Sequence, residues 1–399
     1  MPSIVPHLGV DLLILRLYAL CFVFLVLVII PAGADANVSL DSADEMKSQW
    51  SSFRGTRSQR GTTSARLASR LTLLWKFKTG DAVTSSPVVR RNLVFIGSTD
   101  GYVYAISLKT GEKLWAFKTS GIVEAPPIVV GEHVLVGSSG GIFYDLDCST
   151  GELRWQYKTE DQILGGANWA TFASGSRVVV GSYDNRLHCV DLETGKGLWV
   201  YETTNYVNGS PAVDSGRQNV IFGGCDGVLH VVGLSDGRLV KTIDVKNYIA
   251  ASAALDGDYA YFGHYGNEVV CVNLNKGEIV WTYRNRQFPF FSSPAVTSDR
   301  VVIGGRDKRV HCLNRKDGKL LWQFRTRGKV DSSPVICDNK VVVGSADGRL
   351  YTLDLADGSE LWSYEIGAPI ISSPAVVDGK VVIGADDGLV YAFGSEDKE

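Results

Sequence analysis

Tryptophan recurs in this chain with a period that few folds can use. Trp75, Trp115, Trp155, Trp199, Trp281, Trp322 and Trp362 are spaced by 40, 40, 44, 82, 41 and 40 residues, and Lys241 stands where the doubled interval calls for another tryptophan. The chain therefore holds eight units of about 40 residues, a period that belongs to propellers or solenoids. Each unit repeats one order of segments. In the first, Ser85-Ser86-Pro87 leads into an apolar run ending at Gly97, then the turn Asp100-Gly101, the alternating run Tyr102–Ile106, the turn Thr110-Gly111 and finally Leu114-Trp115. Short β-branched and aromatic runs bounded by such turns are antiparallel strands. Asp-Gly supplies the positive φ that a tight hairpin requires.

Four strands per unit make one propeller blade. The expected fold is all-β: an eight-bladed β-propeller of four-stranded antiparallel blades, with no sustained helical period after residue 70. The last unit, from Ser372-Ser373-Pro374 to Val390–Phe393, holds only three strands. Residues 71–78 hold a tryptophan strand with no hairpin before it. That strand is expected to complete the last blade and so remove two open sheet edges. The repeated tryptophan is expected to pack between adjacent blades, where its indole N–H needs a partner.

Ahead of the repeats, Arg16 is followed by the apolar run Leu17–Ile30 and by Ala34-Asp35-Ala36. A basic residue, a short apolar run and a small-residue ending predict a secretory signal over 1–36, cleaved after Ala36 or Ala34. A retained anchor is the alternative. Cys21 follows Leu20, not a small residue, so it does not read as a lipidation site. Residues 37–70 read as a linker. Its Arg54, Arg57, Arg60, Arg66 and Arg70, among Ser and Thr, read as solvated, with contact to peptidoglycan or an anionic surface as the minor alternative. Residues 71–394 are the propeller and 395–399 a tail.

The formal charge of −3 becomes −2 without residues 1–36. That balance leaves no general electrostatic footprint for nucleic acid. Cys148, Cys189, Cys225, Cys271, Cys312 and Cys337 show no C-x-x-C spacing, and three of them share one repeat position. They read as buried thiols, with no disulfide framework or metal site. His188, His230 and His311 also share a repeat position, which places them one blade or more apart, too far to share a metal. No nucleophile elbow, zincin helix or P-loop occurs.

Candidate binding residues lie where the repeats lose their consensus. The hairpin that is Ser98-Thr99-Asp100-Gly101 in the first repeat becomes Tyr183-Asp184-Asn185-Arg186, His264-Tyr265-Gly266-Asn267 and Arg306-Asp307-Lys308-Arg309. The loops after the tryptophan strands drift likewise, with Tyr206, Tyr248 and Arg284-Asn285-Arg286-Gln287-Phe288-Pro289-Phe290-Phe291, and Trp169 enters where the third repeat replaces Ser-Ser-Pro. Propeller topology puts these two loop types on one face. The candidate partner-binding set is therefore Trp169, Tyr183, Arg186, Tyr206, Tyr248, His264, Tyr265, Arg284, Arg286, Phe290, Arg306, Lys308 and Arg309. Aromatic and Arg side chains are what protein interfaces favour. Relaxed loop sequence with partly buried rings is the plainer reading.

The pattern in Asp191-Leu192-Glu193-Thr194-Gly195-Lys196-Gly197-Leu198-Trp199 and in Asp354–Trp362 resembles the repeat of the PQQ-type (pyrroloquinoline quinone) propeller family. The resemblance covers about 71–394. It implies an eight-bladed scaffold and does not by itself imply a cofactor. In one branch, the quinoprotein dehydrogenases, PQQ and Ca²⁺ sit on the axis beneath long insertions and a Cys-Cys pair. This chain has near-minimal blades and no Cys-Cys, so PQQ with Ca²⁺ is the disfavoured alternative and no cofactor is expected; Asp184, Asp226 and Asp307 would be its candidate base or calcium ligands. The other branch resembles the BamB-type scaffolds of outer-membrane β-barrel assembly, and Trp50-Ser51-Ser52-Phe53-Arg54-Gly55 resembles a lead found before many bacterial PQQ-like propellers. That branch implies an exported, non-enzymatic protein of the periplasm or cell envelope. It would be a monomer within a complex, peripheral to the outer membrane, binding an envelope protein or peptide and no nucleic acid. A ligand-sensing propeller is the third alternative.

Overall fold

The computed structural model describes residues 49–285 and 287–395. The predicted signal segment, Cys21, Arg286 and the end of the tail lie outside them. Eight antiparallel sheets follow one another along the chain, spanning Val88–Lys118, Ile128–Lys158, Asn168–Glu202, Ala212–Asp244, Ala254–Arg284, Ala295–Arg325, Val335–Glu365 and Ala375–Gly394. We number these blades 1 to 8. Blade 8 has three strands of its own. Thr72–Lys78 pairs antiparallel with Leu389–Gly394, with Lys78 opposite Leu389 and Thr72 opposite Gly394, and supplies the fourth. The inner strands contact one another around the ring, including Val88–Arg90 against Ala375–Val377, so the circle is closed as expected. Among the described residues there is no helix.

The tryptophans lock each blade to the next. The indole N–H of Trp75, Trp115, Trp155, Trp199, Trp281 and Trp322 donates to the carbonyl of Leu108, Cys148, Leu192, Leu234, Arg315 and Leu355, always on the following blade, at 2.8–3.1 Å. The glycine of each following turn makes this approach feasible: at Gly151 (φ +74°) a Cβ would fall 2.5 Å from the Trp115 ring. Lys241 keeps the hydrogen bond without the ring, its Nζ donating to Leu274 O at 3.1 Å.

A second ring of bonds runs around the inner strands. The backbone N–H of residues 166, 210, 252, 293, 333 and 373 donates in turn to the hydroxyl of Ser210, Ser252, Ser293, Ser333, Ser373 and Ser86 at 2.8–3.0 Å. This explains the serine of the Ser-Ser-Pro signal: it satisfies the next blade's buried N–H. Pro126 occupies the corresponding place in blade 2. It has neither hydroxyl nor N–H, and the ring is interrupted there.

The stretch read as a solvated linker is corrected by the structure over residues 50–63. Trp50 pairs with Val89 of blade 1. The carbonyls of Ser51, Arg57, Ser58, Arg60 and Gly61 then accept the backbone N–H of Val129, Val213, Leu255, Val296 and Ile336, on blades 2, 4, 5, 6 and 7, and blade 3 is reached by the Asn168 side chain, which donates to Arg57 O at 2.7 Å. Thr62–Thr63 adds to blade 7 as a short strand parallel to its inner strand. Every one of these N–H groups belongs to an inner strand, which would otherwise hold an unpaired donor facing the channel. The lead is thus drawn onto the ring, and it covers one end of the channel. Arg54 is 1% exposed, not solvated. Its guanidinium donates to Ser333 O at 3.0 Å, Pro294 O at 3.2 Å and Pro334 O, reaching blades 6 and 7 from a lead that begins at blade 1. Gln59, also buried, donates to Ser210 O and Pro211 O. Arg66 and Arg70 are exposed, as read.

Candidate binding face

Each inner strand begins after a tryptophan-strand loop and ends in a hairpin at the other end of the channel. The lead's backbone bonds the inner strands at mid-strand, and its Arg57 and Arg60 border a hollow beside the hairpins at Asp214 and Gly257. The opposite end carries the loops after the tryptophan strands and the second-to-third-strand turns, which are the loops that drift in sequence. They are fixed to each other by a repeated bond: Tyr183 N to Gln162 O, Cys225 N to Tyr206 O, Tyr265 N to Tyr248 O and Arg306 N to Pro289 O.

Most of the predicted residues meet there. Tyr183 and Tyr206 stack with ring centroids 4.7 Å apart and planes 6° from parallel. Tyr248 meets Tyr265 edge-on at 6.0 Å, and Tyr265 packs on Phe291 at 4.6 Å. The Arg306 guanidinium lies 3.7 Å from the centre of the Phe291 ring and bonds Asp331 through two donors, at 2.9 and 3.0 Å. Burial, with Cys225, Glu124, Tyr265 and Tyr206 nearby, pushes the Tyr183 hydroxyl pKa up, so Tyr183 stays a neutral donor. Tyr206, Tyr248 and Tyr265 are 44–51% exposed. The result is a row of rings over blades 3 to 6, held by loop bonds and open to solvent. Such rings lose little rotamer freedom on contact and carry large area, which makes them good anchors.

The charged members are mostly neutralised. Arg186 reaches Glu160 at 2.9 Å and Arg284 reaches Glu268 at 2.7 Å. Arg309 bonds Gln323 at 2.9 Å. Lys308 is exposed, and its side chain has no bonded partner among the described residues.

Three predicted residues do not join the face. Phe290 is 1% exposed. It occupies the repeat position of Val83, Val123, Ile163, Val207, Ile249, Val330 and Ile370, all buried between blades, and packs on His311 at 5.2 Å. His264 is 1% exposed; its Nδ1 accepts the Gly266 N–H at 2.9 Å and its Nε2 lies 3.3 Å from Glu268, which fixes the hairpin beneath Tyr265. Trp169 lies on the inner strand of blade 3 towards the covered end, under the Arg57 guanidinium at 4.4 Å. Arg286 lies outside the described residues. The reading missed Phe291, Asp331, Arg325 and Arg327. Aligning the repeats residue by residue separates Phe290, in the buried register, from Phe291, in the register of Thr84 and Asp331.

The shared histidines are staples between blades. His188, His230 and His311 bond Asp184, Asp226 and Asp307 at 3.0, 2.8 and 3.1 Å through Nε2. Their Nδ1 atoms face the hydroxyls of Tyr157, Tyr201 and Tyr283 on the preceding blade at 3.1, 3.1 and 3.2 Å. In blades 1 and 7 a tyrosine bonds the turn carboxylate instead, Tyr104 to Asp100 at 2.6 Å and Tyr351 to Asp347 at 2.9 Å, and meets Phe77 or Phe324 of the preceding blade edge-on. The six described cysteines are free thiols, five of them buried, and burial pushes the Cys271 thiol up to about 12.

The sequence model of the family described as outer membrane protein assembly factor BamB matches residues 160–283, 225–328 and 285–397, together more than half of the chain. The chain belongs to this family. No curated protein sequence matches it. Among solved structures it is similar to BamB from Moraxella catarrhalis, with 19% identity and a TM-score of 0.70 over 82% of this chain and 100% of that one. It is also similar to quinohemoprotein alcohol dehydrogenase from Comamonas testosteroni, with 13% identity and a TM-score of 0.76 over 88% and 82%. The computationally designed Ika8 protein gives 20% identity and a TM-score of 0.70 over 81% and 99%. At these identities the structural likenesses show the propeller fold, which the BamB family shares with dehydrogenases and with a design.

Proposed function

We propose that this BamB-family propeller is an exported, non-enzymatic scaffold that binds an envelope protein or peptide through the open end of its channel. The observation that carries the reading is the row Tyr183, Tyr206, Tyr248, Tyr265 and Phe291, exposed or half-exposed on loops cross-bonded to one another. A closed ring with its other end covered by the lead is a rigid base for such a row, so binding needs little rearrangement. The family description points to outer-membrane assembly components as partners and to an envelope location, with the apolar segment before the lead serving export.

The quinone reading is the weaker one. The carboxylates named for it are engaged: Asp184, Asp226 and Asp307 hold histidines. Among the described residues no three acidic, His or Cys side chains converge as a metal cradle. The engagement of these carboxylates supports the scaffold reading over a calcium–quinone site. Calorimetric titration with PQQ and Ca²⁺ tests this directly; heat with stabilisation would restore that reading.

The scaffold reading is tested by Tyr265→Ala with Arg306→Ala. Proximity labelling in the native envelope should lose its co-labelled assembly component, while the melting temperature moves by only a few degrees, because the Arg306–Asp331 pair is partly exposed and contributes on the order of 1 kcal/mol or less. Undiminished labelling by the double variant would refute the reading.

A further inference from the structure

We infer that the part of the open face on blade 6 and its loop to blade 7 docks a carboxylate-rich polypeptide segment. This names the partner chemistry for the face proposed above and rests on that reading. Two adjoining concavities lie there. One, of about 440 Å³, is lined by Lys308, Arg325, Thr326 and Arg327. The other, of about 260 Å³, shares Lys308 and Arg325 and adds Phe288, Arg306 and Arg309, with Asp307.

The charge there is left open. Among the described residues, arginines of this face on blades 3, 5 and 7 have carboxylates: Arg186 has Glu160, Arg284 has Glu268 and Arg349 has Glu365. Lys308, Arg325 and Arg327 are exposed and have no bonded or ion-paired partner for their side chains among the described residues. Three like charges around one hollow repel each other, in a protein whose formal charge is −3.

The backbone records the same choice. Lys308 sits at the turn position that is Gly101, Gly141, Gly227, Gly348 and Gly388 in five blades and Asn185 and Asn267 in two. Its φ is +65°, a conformation that disfavours a long side chain. The residue is exposed, so no packing offsets that strain. In blades 8 and 1 the lysine that ends the outer strand, Lys78 or Lys118, donates to the turn carbonyl of Asp387 or Asp100. Arg325 holds that register in blade 6 and makes no such bond.

The occupant follows from shape and charge. Carboxylates match the guanidinium fork. The cations line hollows, which single side chains enter more readily than a flat bilayer does. Phe288, 46% exposed, and the Arg306–Phe291 pair lead from the hollows to the aromatic row. A flexible acidic segment bearing an aromatic residue can use both.

The test uses the full-length protein and a labelled dodecapeptide of alternating Glu and Gly carrying one Phe, with the Lys counterpart, inorganic phosphate and phosphatidylglycerol vesicles as the other arms. The Glu peptide should bind, weaken with salt, and lose at least tenfold in Lys308→Gln/Arg325→Gln/Arg327→Gln. Lys308→Gly should weaken binding while raising the melting temperature. The inference is overturned if the triple variant binds the Glu peptide as wild type does, if the Lys peptide binds equally, or if the vesicles or phosphate bind through the three cations and the peptide does not. Loss of envelope labelling in Tyr265→Ala/Arg306→Ala without any Glu-peptide binding sinks this inference and leaves the scaffold. Glu-peptide binding that depends on the triple site, with labelling retained in that double variant, sinks the scaffold and leaves the acidic site.

Discussion

Arg54 and Gly61 form a coupled pair whose removal should show how the covered end is held. Arg54 is buried with no carboxylate partner among the described residues; its charge is held by the carbonyls of Ser333, Pro294 and Pro334. Burial pulls its pKa down to about 9, so it is still a cation at neutral pH. Arg54→Ala strands three buried carbonyls of the Ser-Ser-Pro segments that lead into the inner strands of blades 6 and 7, each costing about 1 kcal/mol or more, so the expected loss is on the order of 3–5 kcal/mol once the packing of the stem is included. Gly61 adopts φ +64°, and its N–H bonds Arg54 O. A Cβ there would fall 1.9 Å from Arg54 Nη2.

Gly61→Ala therefore carries two costs. The left-handed backbone contributes about 1–2 kcal/mol. The clash drives the guanidinium off its carbonyls and repeats most of the Arg54→Ala loss. In the Arg54→Ala background only the backbone cost remains. Urea unfolding of the four proteins should therefore give a double variant less destabilised than the sum of the singles by about 2–3 kcal/mol, far outside the ~0.5 kcal/mol expected of independent sites. Additive losses would mean that Arg54 does not occupy the space in front of Gly61 and that the lead is not anchored through its guanidinium.

Desolvation lowers the pKa of His188 and of His264 below the usual 6.5, so their folded forms favour the neutral ring. The stability this confers is present above pH 6.5 and lost as pH falls through the folded pKa; His188→Gln with His264→Gln should flatten the fall in urea midpoint between pH 7.5 and 5.5, and an unchanged slope would refute the assignment. Lys241→Trp should place an indole N–H on Leu274 O beside Gly277 (φ +73°), as at the other joints, and stabilise by about 1 kcal/mol through added apolar burial; a lower melting temperature would show that the blade 4–5 joint has closed around the lysine.

The ring was legible because its signals are local and repeated eight times. The Asp-Gly turns, the Thr-Gly turns and the tryptophan each restrict a short stretch, and one irregular copy does not obscure the others. Even the closure followed from counting strands in the last unit. The lead was not legible for the opposite reason. Its bonds go to inner-strand N–H groups far away in sequence, and nothing in Arg54-Gly55-Thr56-Arg57 distinguishes an arginine that crosses a channel from one in water. A count of donors could have raised the question, since a propeller's inner strands each have an edge that some group must satisfy.

The candidate face was legible as a region and misread at single residues. Loss of consensus located the correct loops, because a turn that keeps Gly elsewhere and carries Lys308 or Asn267 has departed from what folding alone favours. Residue by residue, the repeat register mattered more than residue type. Phe290 and Phe291 are chemically identical and adjacent. One fills the slot that a Val or Ile fills in every other blade, and the other stands in the mouth beneath Arg306. His264 likewise looks like a surface histidine until its hairpin forms around it. An exposed candidate in a repeat protein therefore has to pass two conditions together: its type departs from the consensus, and its register is one that the other blades leave uncovered. Tyr183, Tyr265, Arg306 and Phe291 pass both, whereas Phe290 fails the second.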